Sequence, residues 1–188
     1  METPFTLMNI NMSGQFSTHI VSSLVAGFIL AFPYVFWEIW QFIKPALHQG
    51  EQKHARGVVF YTSLLFMLGV LFGYYMVAPL SVQFLGNYQV SAQVANQINL
   101  NSFISTVTTV CLANGIIFQL PIVVYFLSKL GIVTPHFLRT YRKHALVVVL
   151  IISAIITPPD ITSQIMVSFP LLILYEISIK ISARHQNE

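Results

Sequence analysis

Apolar residues come in five long runs that short polar segments separate. An α-helix rises about 1.5 Å per residue, so a run of about 20 apolar residues crosses a hydrocarbon core of about 30 Å. The runs therefore predict an all-α, polytopic membrane helix bundle, with residues 1–188 forming a single integral membrane domain. The predicted spans cover about residues 20–36, 57–78, 103–127, 145–157 and 161–179.

The two C-terminal spans are predicted to be short. The fourth run, residues 145–157, rises only about 20 Å, which on length alone also fits a re-entrant or buried helix. Proline recurs inside the spans or near their ends, and because it removes a backbone donor we expect bent helices rather than a straight cylinder. These prolines are Pro33, Pro79, Pro121, Pro158, Pro159 and Pro170.

Composition excludes a water-soluble domain. Hydrophobic residues make up 55% of the chain and charged residues 8%, with a mean hydropathy of +0.72. A soluble domain carries charge on about a quarter of its residues. From Gly57 to Ser128 there is no Asp, Glu, Lys or Arg. The lipid bilayer is therefore the environment that this sequence requires.

Basic residues lie in only three parts of the chain: the loop between the first two spans, the loop between the third and fourth, and the C-terminal tail. The positive-inside rule places these parts in the cytoplasm. It thereby predicts that the fourth segment spans the membrane, that the C-terminus is cytoplasmic and that the N-terminus is external. The basic residues are Lys44, Lys53, Arg56, Lys129, Arg139, Arg142, Lys143, Lys180 and Arg184.

An external N-terminus needs a route across the membrane. Residues 1–17 have neither the basic segment nor the apolar core of a cleavable signal peptide. A short tail with little charge can cross unaided, but we expect that a further membrane helix precedes this chain. The lone cysteine, Cys111, excludes an internal disulfide and a cysteine-based metal cluster.

Two carboxylates are candidates for contact with partners. Glu51, in the first basic loop, is either a solvated charge that offsets Lys53 and Arg56 or a carboxylate that docks an arginine of a partner. Glu176, in the fifth span, either faces a protein interior or snorkels to the interface, one turn from Lys180.

Helix packing has two further candidate signals. Gln119 precedes Pro121, and its amide either satisfies carbonyls that the proline frees or reaches a neighbouring or partner helix. Gly69 and Gly73 form a small-xxx-small pair, which suits close approach of two helices.

The turn between the last two spans resembles a helix start. We expect Thr157 at the N-cap, Pro158 at the first helical position and Asp160 at the third, with Pro159 between them. These four residues are therefore predicted to be structural.

Signatures of enzymes are missing from the sequence. It contains no His-Glu-x-x-His, no Gly-x-Ser-x-Gly, no Walker loop and no paired intramembrane carboxylates. The six histidines are scattered without metal-ligand spacing. We predict a protein that is not an enzyme, uses no metal or cofactor and binds no nucleic acid. Its work would then draw on an ion gradient or on partner proteins.

Four motifs follow one another along nearly the whole chain, and the last continues through Pro170 to Glu176. The motifs are Phe32-Pro33-Tyr34 with Trp37 and Trp40 to Leu47 followed by Glu51; Gly73-Tyr74-Tyr75 through Pro79-Leu80; Gly115 to Pro121; and Ser153 to Asp160 with Ser163-Gln164. In order and spacing these motifs resemble the TatC family, the multispanning subunit of the twin-arginine protein translocase.

The resemblance implies a concave, glove-like bundle of six helices, of which this chain would hold five. It also implies a receptor in the bacterial cytoplasmic (inner) membrane that binds the twin-arginine signal peptide of folded cargo. Such a receptor recruits single-span TatA- and TatB-type subunits, forms homo-oligomers within the complex and depends on the proton-motive force.

The resemblance also assigns roles to individual residues. Glu51 falls on the loop carboxylate that meets the twin arginines, and Phe42 falls on a nearby aromatic residue of the recognition surface. Gln119 falls on an intramembrane polar position that is often Glu. A neutral residue there favours hydrogen bonding over a proton-linked role. Gln52 stands where the family often has a basic residue, with Lys53 one position later.

A rival hypothesis is a small secondary transporter in which Gln119 and Glu176 form a polar solute site at the bilayer midplane. The absence of an inverted repeat and the scarcity of intramembrane charge disfavour it.

Overall fold

The structure is a computed structural model that describes residues 7–43, 55–89, 91, 96–129, 131–157 and 160–185. Helices dominate this part of the chain, and two short strands, β1 (Leu7–Met8) and β2 (Ile98–Asn99), pair in parallel. The helices are α1 (Gly14–Ile43), α2 (Ala55–Phe72), a π-helix (Gly73–Val77), α3 (Ala78–Asn87), α4 (Leu100–Ile117), α5 (Leu120–Lys129), α6 (Pro135–Thr140), α7 (Arg142–Ile156) and α8 (Ile161–His185).

The sequence predicts that the second apolar segment ends near Pro79. In the structure it continues as a helix to Asn87. A π-helix precedes α3, and the Ala78 N–H donates to the carbonyl of Gly73, five residues back. Pro79 therefore lies in the first turn of α3, where its missing N–H breaks no helical hydrogen bond. This wider turn explains why the proline does not stop the segment.

The third apolar segment breaks beside Pro121, in agreement with the expected kink. Phe118 and Gln119 form a two-residue turn between α4 and α5. The Gln119 N–H donates to Ile116 rather than to Gly115, at 3.0 Å, so the ladder changes from four-residue to three-residue spacing. In α1 and α8 the helix continues through Pro33 and Pro170.

The predicted glycine pair on the second segment lies at a close crossing with α4. A Cβ built at Gly69 would lie 2.6 Å from the carbonyl oxygen of Asn114, and one at Gly73 would lie 3.0 Å from the Cα of Cys111. From the other side, a Cβ at Gly115 would lie 2.8 Å from the ring of Phe66. Small residues on both helices thus let α2 and α4 approach backbone to backbone.

Polarity is arranged as lipid requires. The described serines of α7 and α8 are mostly buried, whereas large apolar side chains on the long helices are exposed. The main core joins the π-helix to α3, α4, α7 and α8. Its buried members are Val77, Ala78, Val110, Phe118, Val149, Val167 and Leu171. Helix faces that would be insoluble in water are therefore turned towards the bilayer.

Four helical segments of the described chain are long and apolar enough to cross a membrane: 14–42, 57–87, 100–129 and 161–183. The helix at the fourth predicted span, α7, has 15 residues and rises about 22 Å. The helix at the fifth is longer than predicted, since α8 has 25 residues and continues past Lys180. Only the first of the two C-terminal helices is therefore short.

Candidate functional site

Phe42 is presented at the C-terminal end of α1. Its side chain is 85% exposed, whereas that of Trp40, two residues earlier, is 2% exposed. The Trp40 ring packs against Phe126 of α5, with 5.3 Å between ring centroids. Two residues advance an α-helix by about 200°, so the buried Trp40 turns Phe42 away from the bundle.

Trp40 is a residue whose role the sequence did not reveal, because a run of aromatic residues such as this one is also typical of a membrane interface. Its burial against α5 fixes the rotation of the last turn of α1. The other half of the predicted recognition pair, Glu51, lies outside the described residues, as do Lys44 to Gly50.

Gln119 lies in the turn between α4 and α5 and connects three helices. Its Nε2 donates to the carbonyl of Thr62 in α2 at 3.2 Å and to that of Gly115 in α4 at 3.4 Å. The Gly115 carbonyl is the one that loses its backbone donor when the Gln119 N–H bonds to Ile116 instead. The Gln119 side chain replaces that donor and also links α4 to α2. Its Oε1 is buried without a hydrogen-bond partner, which leaves one acceptor unused in this part of the chain.

A polar seam joins α7 to α8. The Ser153 and Ser168 hydroxyls are hydrogen-bonded at 2.8 Å, and Gln164 Nε2 donates to the carbonyl of Leu150 at 3.1 Å. Ser168 also donates to the carbonyl of Gln164 at 2.7 Å. The seam satisfies polar groups that lipid cannot hydrate, and it holds the short α7 against α8.

The capping assignment at the turn between α7 and α8 was wrong. Thr157 ends α7, and its hydroxyl donates to the carbonyl of Ser153 at 2.9 Å. Asp160 precedes α8, and its Oδ2 accepts from the N–H of Ser163 at 2.7 Å. Asp160 is therefore the N-cap, because a carboxylate three residues before a free N–H satisfies it without Thr157. Pro158 and Pro159 lie outside the described residues.

Glu176 has a partner within the chain. Its Oε2 lies 2.9 Å from an Nη of Arg142, the first residue of α7, and both side chains are 50% exposed. The carboxylate therefore lies near the end of α8 that adjoins the second basic loop. This position agrees with the interfacial alternative for Glu176.

The structure does not bring Gln119 and Glu176 together. Gln119 bonds to α2 and α4, whereas Glu176 bonds to the start of α7. Among the described residues no group of His, Cys, Asp and Glu side chains is arranged to hold a metal ion. The arrangement thus consists of a rigid helical frame with an exposed ring at the end of α1.

Comparison with known proteins gives a consistent result. The family model described as "Sec-independent protein translocase protein (TatC)" matches residues 2–170. The protein of that name from Blattabacterium sp. subsp. Periplaneta americana is 43% identical over 176 residues, covering 94% of this chain and 66% of the relative. The one from Halalkalibacterium halodurans is 37% identical over 164 residues, covering 87% and 65%.

The chain thus spans slightly less than two thirds of the length of these curated relatives. Among solved structures, a crystal structure of the "Twin Arginine Translocase Receptor- TatC in DDM" matches with a TM-score of 0.76 and 38% identity. The match covers 93% of this chain and 77% of that one. The all-α, polytopic membrane helix bundle predicted from the sequence is confirmed.

Proposed function

Because the chain belongs to the TatC family of Sec-independent protein translocases, we propose that it is the receptor subunit of twin-arginine translocation. In this proposal it binds the twin-arginine signal peptide of a folded cargo protein. It then recruits single-span subunits of the TatA and TatB type, which use the proton-motive force to move the cargo, and it forms homo-oligomers within that complex. The family match over nearly the whole chain carries the proposal.

Signal-peptide recognition would occur at the end of α1 and the loop that follows it. The exposed ring of Phe42 offers an apolar surface beside the headgroups, and the buried Trp40 keeps that ring turned outwards. The Glu51 carboxylate would accept hydrogen bonds from an arginine guanidinium, whose planar fork suits bidentate pairing. The Phe42 ring would then contact the signal-peptide residues next to the two arginines.

The strength of this contact suits a receptor that must release its cargo. A hydrogen bond that involves a charged group contributes about 1.5–3 kcal/mol net. One bidentate pair therefore gives reversible docking. The described part of the chain has few competing carboxylates, because Glu176 is already paired with Arg142 and Asp160 caps α8.

Export of a twin-arginine reporter tests the role of Glu51. In the full-length protein, Glu51→Gln should abolish export while insertion into the membrane is unchanged, and Glu51→Asp should retain part of the activity. Glu38→Gln is the matched control, since Glu38 is an exposed carboxylate on α1 that the proposal does not use. Normal export by Glu51→Gln would refute the assignment, as would equal loss in Glu38→Gln.

We also propose that the basic loops and the C-terminus face the cytoplasm and that the start of this chain faces outside. The distribution of Lys and Arg supports this orientation. A membrane-impermeant thiol reagent added to intact cells should label Asn96→Cys and spare Lys180→Cys. Cys111 is buried and should give little background. The reverse labelling pattern would contradict the proposed orientation.

Gln119 would hold the receptor frame rather than bind solute. Both of its N–H contacts are intramolecular, and Glu176 has a separate partner. These contacts do not favour the transporter hypothesis, which needs the two side chains in one site. The Oε1 of Gln119 is a buried acceptor without a partner among the described residues. A partner helix would hydrogen-bond to it once the surrounding helices move apart.

A further inference from the structure

The corner between α5 and α7 carries an excess of positive charge. No Asp or Glu occurs between Lys129 and Pro159, whereas this segment contains four basic residues. Arg142 is paired with Glu176. Arg139 and Lys143 are exposed, and neither has a carboxylate partner in the described part of the chain. Two cations therefore remain available to an external anion.

The short helix α6 is held against the bundle in one orientation. Its Leu138 is buried in a cluster with Val124 of α5 and Ile179 of α8. The carbonyl of Leu138 also accepts a hydrogen bond from the Tyr175 hydroxyl at 2.8 Å. Pro135 is buried as well, and the other side chains of α6, Arg139 among them, are exposed.

An aromatic ladder runs along the outward side of the same corner. Phe137 and Tyr141 are 49% and 44% exposed, and their ring centroids are 4.5 Å apart. The ring of Tyr141 lies 5.3 Å from that of His144. The apolar helix α5 ends at this corner and the apolar helix α7 begins there. The ladder of rings therefore lies at the level where a bilayer meets water. Aromatic rings are enriched at that level.

We propose that this corner binds the headgroup of an anionic phospholipid, with Arg139 and Lys143 on the phosphodiester and the Phe137–Tyr141 ladder against the upper acyl chain. The occupant follows from three observations: two cations without a carboxylate partner among the described residues, exposed rings between two apolar helices, and an excess of positive charge. The one described carboxylate that reaches this corner, that of Glu176, is already paired with Arg142. A basic group near an anionic membrane surface strengthens binding by about fivefold. The proposal uses neither Phe42 nor Glu51 and does not depend on the proposed function.

Native mass spectrometry of the full chain tests the site. The protein is released from micelles that contain phosphatidylglycerol or phosphatidylcholine, and the apparent Kd of the first bound lipid is measured. Wild type should retain phosphatidylglycerol and not phosphatidylcholine. Arg139→Gln and Lys143→Gln should each weaken phosphatidylglycerol binding by about fivefold. Tyr141→Ala should weaken the binding of phosphatidylglycerol further when combined with either.

Arg56→Gln is the matched control, since it removes the same charge from the start of α2 rather than from the corner. It should leave the Kd within about twofold of wild type, because salt screens a charge that does not contact the phosphodiester. Equal binding by wild type and Arg139→Gln would overturn the proposal, as would equal loss in Arg56→Gln. Displacement of the lipid by millimolar inorganic phosphate would also overturn it, because the site would then take free anions.

Discussion

Replacing Gly69 by Ala should separate α2 from α4. The new Cβ would lie 2.6 Å from the carbonyl oxygen of Asn114 and 2.9 Å from both the Cα of Gly115 and the Cβ of Phe118. Ordinary contact begins at 3.4 Å, and two of these three atoms are backbone atoms that cannot rotate away. The helices must therefore move apart by several tenths of an ångström.

The expected cost follows from overpacking. Adding a methyl group where the neighbours cannot yield costs about 1–3 kcal/mol. One factor of ten in an equilibrium constant corresponds to about 1.4 kcal/mol, so the folded-to-unfolded ratio should fall by about 5- to 150-fold. The same movement lengthens the bond from Gln119 Nε2 to the Thr62 carbonyl, because that bond crosses the same pair of helices.

Gly27→Ala is the matched control. It makes the same change in the middle of a long helix, but no atom beyond the adjacent residues and the backbone of its own helix lies within 4 Å of the new Cβ. Both variants gain the same helix propensity, so their difference isolates the clash. The assay is titration of the purified protein in micelles with SDS, followed by the fluorescence of Trp37 and Trp40. Equal stability of the two variants would refute the account of the α2–α4 crossing.

Three further predictions concern the C-terminal helices. Ser168→Ala should lower stability by about 0.6 kcal/mol, the average for a hydrogen bond between membrane helices, as SDS titration would measure; no change would mean that the α7–α8 seam is not stabilising. A double-mutant cycle of Arg142→Gln and Glu176→Gln should give a coupling of about 0.2–1 kcal/mol, because both side chains are half exposed. Coupling above 2 kcal/mol would contradict an interfacial pair. Inserting four leucines into α7 should impair reporter export if its rise of about 22 Å thins a bilayer core of about 30 Å, and unchanged export would remove that role.

The positions of the helices could be predicted from the sequence because lipid tolerates only long apolar segments. The break at Pro121 was predictable for the same kind of reason, since a proline inside a span removes a donor. Pro79 shows where that reasoning fails. A π-helix before it moves the proline into a first helical turn, and Gly73, the first residue of that π-helix, lies against α4, a contact that the local sequence does not show.

The N-cap of α8 and the burial of side chains at the end of α1 could not be predicted from the sequence, because both depend on the tertiary fold. Asp160 and Thr157 are both good N-cap residues, and only the observed start of α8 at Ile161 decides between them. Trp40 has aromatic neighbours in the sequence, a pattern that is equally typical of a membrane interface. Its burial requires Phe126, which lies on a helix far along the chain. The exposure of Phe42 was equally hidden, since it follows from the burial of Trp40.

Site-specific crosslinking of a twin-arginine signal peptide tests the central claim most directly. A photoreactive residue at position 42 of the full-length protein should form an adduct with the peptide, and replacing both peptide arginines by lysine should sharply reduce it. A photoreactive residue at position 24, where Leu24 is exposed on the same helix, should form none. An adduct that is indifferent to the arginines, or one that appears equally at position 24, would contradict recognition at the end of α1.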